Sequence, residues 1–178
     1  MSPIQDSTLL EGITVVDLSR NLPGPATSLI LQQMGATVIK IEPPHGDDAK
    51  SMPMLYQALN SSKKIVVADF RTAEGIQSLK DHAAKADVLI DGFRPGVMAE
   101  MGCSYDTLKA LNPKLVMCCI TGYGQKGPLA EKAGHDINYM ALSGVLDGLQ
   151  TANGDIPVPA VQFGDLFGGT SAAVQGIL

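Results

Sequence analysis

Three short stretches of this chain carry residue types that could do chemistry. In Gly134-His135-Asp136-Ile137-Asn138-Tyr139, an imidazole and a carboxylate stand side by side where a helix would begin. Adjacent helical residues do not face one another, yet in a first turn both can reach one site. A helix N-terminus also favours the neutral imidazole, the form that accepts a proton. The plainer roles are a first-turn carboxylate for Asp136 and a structural donor for His135, and the pattern leaves both readings open. The second stretch, Gly164-Asp165-Leu166-Phe167-Gly168-Gly169, sets a carboxylate among glycines ahead of a helical run. Glycines let a substrate approach the backbone, and helix amides could hold an oxyanion, so Asp165 is a candidate base or nucleophile. Its commonplace alternative is an N-cap. The third, Phe93-Arg94-Pro95-Gly96, follows an expected strand. Parallel sheets bind ligands at strand carboxyl ends, where an Arg suits a phosphate; a solvated loop Arg is the bland alternative.

A fourth stretch, Gly122-Tyr123-Gly124-Gln125-Lys126-Gly127, spells the glycine pattern of a dinucleotide fingerprint. Its context is wrong, because Pro128 follows the third glycine, no long helix opens there, and the fingerprint belongs to the first strand–helix turn. A glycine-rich substrate loop fits better.

These residues must be positioned by the elements around them. Apolar runs rich in β-branched residues at 13–18, 37–41, 65–68, 88–90 and 115–120 predict buried strands. Helical spacing covers 25–34, 72–84 and 104–111, with stop signals at Gly35 and Asn112-Pro113. Strands alternating with helices predict an α/β fold, a mostly parallel Rossmann-like sheet with helices on both faces. The stretch 42–63, with Pro43-Pro44 and Asp47-Asp48, reads as a long functional loop holding one short helix near 54–59. A further helix is expected over 137–146. The small-residue run after Gly164 reads as a helix packed tightly against something and cut at Leu178.

Composition bounds the partners. Thirteen Lys and Arg against 18 Asp and Glu give a net charge of −5, which argues against nucleic acid or an anionic membrane. Charged residues are only 17% of the 178, below the roughly 25% of an average domain, so part of the surface is expected to be covered by another chain. Three cysteines, two of them adjacent, form neither a disulfide framework nor a zinc spacing. With no signal-like N-terminus at Met1-Ser2-Pro3-Ile4-Gln5-Asp6 and no apolar run able to span a bilayer, a reducing cytoplasm is expected.

The ordered set of motifs resembles the family III CoA transferases, the CaiB/BaiF type, and their α-methylacyl-CoA racemase relatives. The likeness is carried by Leu10-Glu11-Gly12-Ile13, Val16-Asp17-Leu18-Ser19 and Pro23-Gly24-Pro25, then by the run from Gly35 to Glu42. It continues through Asn60, Lys63-Lys64, Phe93-Arg94-Pro95-Gly96, Gly122-Tyr123-Gly124-Gln125, Gly127-Pro128 and Gly134-His135-Asp136-Ile137-Asn138-Tyr139. The resemblance implies an interlocked dimer and an acyl-CoA substrate, with no cofactor beyond the coenzyme A carried by that substrate. It implies that Asp165 is the aspartate that attacks a thioester in the transferases. In the racemases, the corresponding aspartate and His135 exchange the α-proton on opposite faces of the substrate. The His-Asp pair tilts the reading to racemase, with transferase and an inactive or split fragment as alternatives. Asp136 would support catalysis, while Arg94, Pro95, Lys40, Tyr123 and Gly124 would contact coenzyme A. The family's later segments are absent, so residues 1–178 are expected to be the N-terminal part of the large domain, joined to a homodimer partner or a complementing C-terminal half.

Overall fold

The computed structural model describes residues 8–178; the N-terminal stretch read for a signal lies outside the described residues. Five short strands form the sheet: β1 (Thr14–Asp17), β2 (Thr37–Glu42), β3 (Lys64–Val67), β4 (Val88–Asp91) and β5 (Val116–Cys119). All pairings are parallel, in the order β3-β2-β1-β4-β5. The chain winds outward from β1 to β3, then returns to lay β4 on the other side of β1. The strand order therefore reverses between β1 and β4, where open parallel sheets leave a crevice at their carboxyl ends.

Side chains alternate across the pleat as the two-residue period demands. Val15, Val38, Val88 and Ile90 pack on one face with Leu31 of α1 (Pro23–Gln33) and Ile177 of the last helix. Val16, Ile41 and Leu89 pack on the other with Leu79 of α3 (Ala73–Ala83) and Leu108 of α5 (Tyr105–Leu111). Burying a Leu or Val side chain contributes about 1.5–3 kcal/mol, so these two layers dominate the stability of the sheet. Thr72 and Ser104 cap α3 and α5 by accepting from the amides of Gly75 and Thr107. Asn112 then ties the two helix ends together, donating to the carbonyls of Ala83 and Ala86 at 3.0 and 2.7 Å.

The long stretch after β2 contains the short helix expected near 54–59 and, before it, a turn the sequence did not signal. It holds a 3-10 turn, Asp48–Ser51, and the helix α2, Pro53–Asn60. A one-turn helix α4, Val97–Glu100, follows Gly96 and had no sequence signal. The helix expected over 137–146 is α6, Asp136–Leu142, which stops early and gives way to a 3-10 turn, Asp147–Leu149. The small-residue run forms a π-helical segment, Gly164–Ser171, continued by α7, Ala172–Ile177. Among the described residues, no helix is long and apolar enough to cross a membrane.

Candidate active site

A cleft of about 830 Å³ opens at the carboxyl ends of β1, β4 and β5. Its walls come from the loop after β1 (Ser19, Arg20, Asn21), the loop after β4 (Gly92, Arg94, Pro95) and the extension of β5 through Ile120. The far side brings His135 at the mouth of α6 and Asp165 in the first turn of the π-helical segment. The crevice expected from topology is therefore the place where the three chemistry-bearing stretches of the sequence converge.

Two of the strands that feed the cleft, β1 and β4, end in a buried aspartate that turns the chain. Asp17 Oδ1 accepts from the Ser19 amide at 2.9 Å, and Asp91 Oδ1 accepts from the Phe93 amide at 2.8 Å. These side-chain turns aim Arg20 and Arg94 into the opening. Lys132 joins them, so three cations face the cleft of a chain whose net charge is −5. Arg20 is paired only loosely, with Asp48 at 3.5 Å on exposed side chains, and no carboxylate pairs with Arg94 among the described residues. Such a lining suits a ligand bearing phosphates.

His135 is the N-cap of α6, and its amide donates to Asn138 Oδ1 at 2.9 Å. Asp136 turns the other way. Its Oδ1 accepts from the Asp165 amide at 3.0 Å, which ties the start of the π-helical segment to the start of α6. Asp165 is not the N-cap, a position held by Phe163, and its carboxylate lines the cleft with one long hydrogen bond, accepted from Gln162 Nε2 at 3.4 Å. Burial pushes Asp165 above the usual carboxylate range, the Asp136 charge adds to that push, and His135 opposes it. The same carboxylate helps raise the Tyr139 phenol, after burial. His135, Asp165 and Tyr139 thus share one electrostatic neighbourhood. The segment carrying Asp165 is anchored at its other end by Thr170, whose hydroxyl donates to the Pro23 carbonyl at 2.9 Å. Gly169 lies so close to Pro23 that a Cβ there would approach its side chain to 2.9 Å.

The glycine-rich stretch after β5 serves Tyr139. Gly122 and Gly134 flank its ring, and a Cβ on either would come within 2.5 to 2.7 Å of the phenol. Tyr139 donates to the Gly134 carbonyl at 2.5 Å, and Tyr123 meets its ring edge-on at 5.2 Å between centroids. Of the three glycines in the dinucleotide pattern, Gly122 is taken up by close packing on Tyr139, while Gly124 and Gly127 adopt positive φ of 83° and 109° in the loop that stands where the fingerprint would need a helix.

Of the residues singled out by sequence, His135, Asp165, Arg94 and Pro95 line the cleft. Asp136, Tyr123 and Gly124 are not among its lining residues; Asp136 holds Asp165 and Tyr123 packs on Tyr139. Lys40 is corrected outright as a ligand contact: its side chain is fully buried, donating to the Ser19 carbonyl at 2.6 Å and pairing with Asp47 at 2.9 Å. A strand lysine flanked by Ile39 and Ile41 in the centre of a covered sheet has no route to solvent. Sequence reasoning passed over Asp91 and Cys119. Desolvation, the Asp91 carboxylate and a hydrogen bond to it push the Cys119 thiol up to about 12, while burial raises Asp91.

Comparison with known proteins agrees with this arrangement. The family model described as CoA-transferase family III matches residues 10–178. The chain is 36% identical to succinyl-CoA:glutarate CoA-transferase of Homo sapiens, over 92% of this chain and 39% of that protein. It is 34% identical to alpha-methylacyl-CoA racemase of Homo sapiens, over 95% of this chain and 43% of that protein. A CAIB/BAIF family protein from Brucella suis superposes with a TM-score of 0.90 at 36% identity, covering 97% of this chain and 48% of that one. The chain thus spans less than half the length of these relatives, and with a family match over nearly all of it, it belongs to CoA-transferase family III.

Proposed function

We propose that residues 1–178 form the N-terminal part of the large domain of an acyl-CoA enzyme that racemises 2-methylacyl-CoA by two-base proton transfer. The observation that carries this reading is the presence of His135 and Asp165 in one cleft, with the His135 charge acting on the Asp165 carboxyl. A thioester acidifies its α-proton. One base removes it to give an enolate, and the conjugate acid of the other returns a proton to the opposite face. Inversion needs a base on one face of the substrate and an acid on the other, and an imidazole and a carboxyl lining one cleft would provide such a pair. The cations Arg20, Arg94 and Lys132 would take the phosphates of coenzyme A. No cofactor enters the reaction, because coenzyme A arrives as part of the substrate. A homodimer partner or a complementing C-terminal half would complete the site, and the cytoplasm is the compartment this reading favours.

A second reading is supported by Asp165 itself, which sits among glycines with its carboxylate open to the cleft. As a nucleophile it would attack the thioester carbonyl and expel the CoA thiolate, leaving a mixed anhydride. The thiolate would then attack the Asp165 carbonyl, releasing the donor carboxylate and leaving an enzyme thioester.

Proton NMR of one enantiomer of a 2-methylacyl-CoA in D₂O, with and without succinate, separates these readings. Exchange of the α-proton with loss of chirality, independent of succinate, is the expected result. A new acyl-CoA formed only with succinate, and without α-exchange, would replace racemisation by transfer. Silence in both arms would leave this chain a non-catalytic part of the enzyme.

A further inference from the structure

Beneath the cleft lies a cluster of buried charge that the chemistry above does not use. Asp17, Lys40, Asp47 and Lys63 are all nearly inaccessible, and they come from β1, β2, the stretch after β2 and the residue before β3. Their polar atoms converge on the underside of the 19–25 loop. Lys40 Nζ donates to the Ser19 carbonyl at 2.6 Å, and Lys63 Nζ to the Pro25 carbonyl at 2.8 Å. Asp47 Oδ2 pairs with Lys40 at 2.9 Å, while its Oδ1 accepts from the Asn21 amide at 3.1 Å and the Ala49 amide at 2.9 Å. Asn21 is also the one non-glycine residue with positive φ among the described residues, at 64°. A left-handed residue persists where its surroundings over-determine it, and such residues gather at functional sites. Here the surroundings are Asp47, held in turn by Lys40.

We propose that Asp47 and Lys40 are positioning residues of the cleft: their buried ion pair fixes Ser19, Arg20 and Asn21 in the conformation that forms one wall of the ligand site. The identity of the ligand as a CoA thioester rests on the function proposed above; the mechanical role does not. The long stretch after β2 acquires a purpose in this arrangement. None of its residues lines the cleft, and it delivers buried Asp47 to the back of the loop that does, with the exposed Asp48 loosely paired to Arg20 at 3.5 Å. Lys40 acts on the ligand through the Ser19 carbonyl, one residue before Arg20, and through Asp47 on the Asn21 amide, one residue after it.

The test compares wild type with Lys40→Met and Asp47→Ala. Asp47→Asn serves as a milder variant that keeps the Oδ1 acceptor and removes the charge. Arg71→Ala, which breaks the exposed pair with Asp69, is the control. Two readouts are taken on protein that still unfolds cooperatively: amide hydrogen exchange within 19–24, and coenzyme A affinity by calorimetry. Exchange in the loop should rise about tenfold or more in Lys40→Met and Asp47→Ala, beyond any rise in β4, and by less in Asp47→Asn. Coenzyme A affinity should fall about five- to tenfold in the same order, with Arg71→Ala unchanged in both. A uniform rise across the sheet would make the pair a merely structural one and overturn the inference, as would a loosened loop with unchanged affinity. A wild type that binds no coenzyme A would refute the proposed function instead, leaving the exchange pattern to decide the role of the pair.

Discussion

Asp136 links the two elements that carry the candidate bases, and removing its carboxylate should damage activity in a way that reveals its role. Its Oδ1 accepts from the Asp165 amide at 3.0 Å, and it stands in the first turn of α6. A hydrogen bond to a charged group contributes about 1.5–3 kcal/mol. Losing it from the element that aims Asp165 should therefore lower kcat/KM for α-proton exchange by about 10- to 100-fold in Asp136→Ala. Asp136→Asn retains an acceptor oxygen, so its loss should be smaller, but it removes the charge that helps hold Asp165 high. Asp165 acts as a base or nucleophile only when ionised, so activity falls as pH drops through its pKa. Asp136→Asn should move that acidic limb to lower pH. Stability follows the same sign. A carboxylate with a raised pKa in the folded state favours folding at low pH and loses that contribution as pH rises through the folded value. The stability lost over that interval should shrink in Asp136→Asn. The assay is α-proton exchange in D₂O across the acidic range, with urea unfolding alongside. An acidic limb that stays in place in Asp136→Asn would refute the coupling, and full activity in Asp136→Ala would refute the positioning role.

Four further outcomes follow from groups elsewhere in the fold. Lys63→Met leaves Asp17 with one fewer partner in the core and should cost about 3–5 kcal/mol in urea unfolding at neutral pH; a loss under 1 kcal/mol would remove Lys63 from the network. Burial pulls Lys63 itself down to about 8 from 10.5, so the folded protein sheds this proton before the unfolded chain does. Wild type should accordingly gain up to about 3 kcal/mol relative to Lys63→Met between pH 8 and 10.5, and a difference that falls with pH would contradict that sign. Cys119, exposed yet pushed up to about 12, should react with iodoacetamide at pH 8 about a hundredfold or more slower than a free thiol, and Asp91→Asn should speed it; mass spectrometry reads both. Gly24→Ala would drive a methyl into the Ser19 side chain, which Asp17 holds in place. It should abolish coenzyme A binding while the sheet still folds, and calorimetry showing normal affinity would mean the loop gives way easily.

What the sequence disclosed was whatever repeats along the chain. The alternation Val15/Val16 and Leu89/Ile90 gave the buried parallel sheet, because a strand covered on both faces has few other ways to be written. The three stretches with chemistry were visible because each follows a strand or opens a helix, and topology alone sends those points to the same end of the sheet. Other features depend on distant partners. No local period marks a π-helical turn, and Gly164–Ser171 takes that form where Asp136 grips its start and Pro23 its end. Gly122 matched the first glycine of a dinucleotide pattern, and nothing nearby in sequence says that Tyr139, five residues beyond Gly134, must lie between Gly122 and Gly134.

Lys40 is the more instructive miss, since the signal was present. In Thr37-Val38-Ile39-Lys40-Ile41-Glu42 the lysine shares a face with Val38, in a strand flanked on both sides by other strands. Such a position cannot offer an ammonium to a ligand in solvent, and an unpaired one would cost several kcal/mol to bury. The strand pattern therefore demanded a buried anion for Lys40. The acidic residues of the stretch after β2, with Asp47 five residues past the strand end, were the nearest in sequence. That demand makes the stretch a support for the first cleft loop, through Asp47. A charge in the middle of a doubly covered strand asks for its partner before it asks for a substrate.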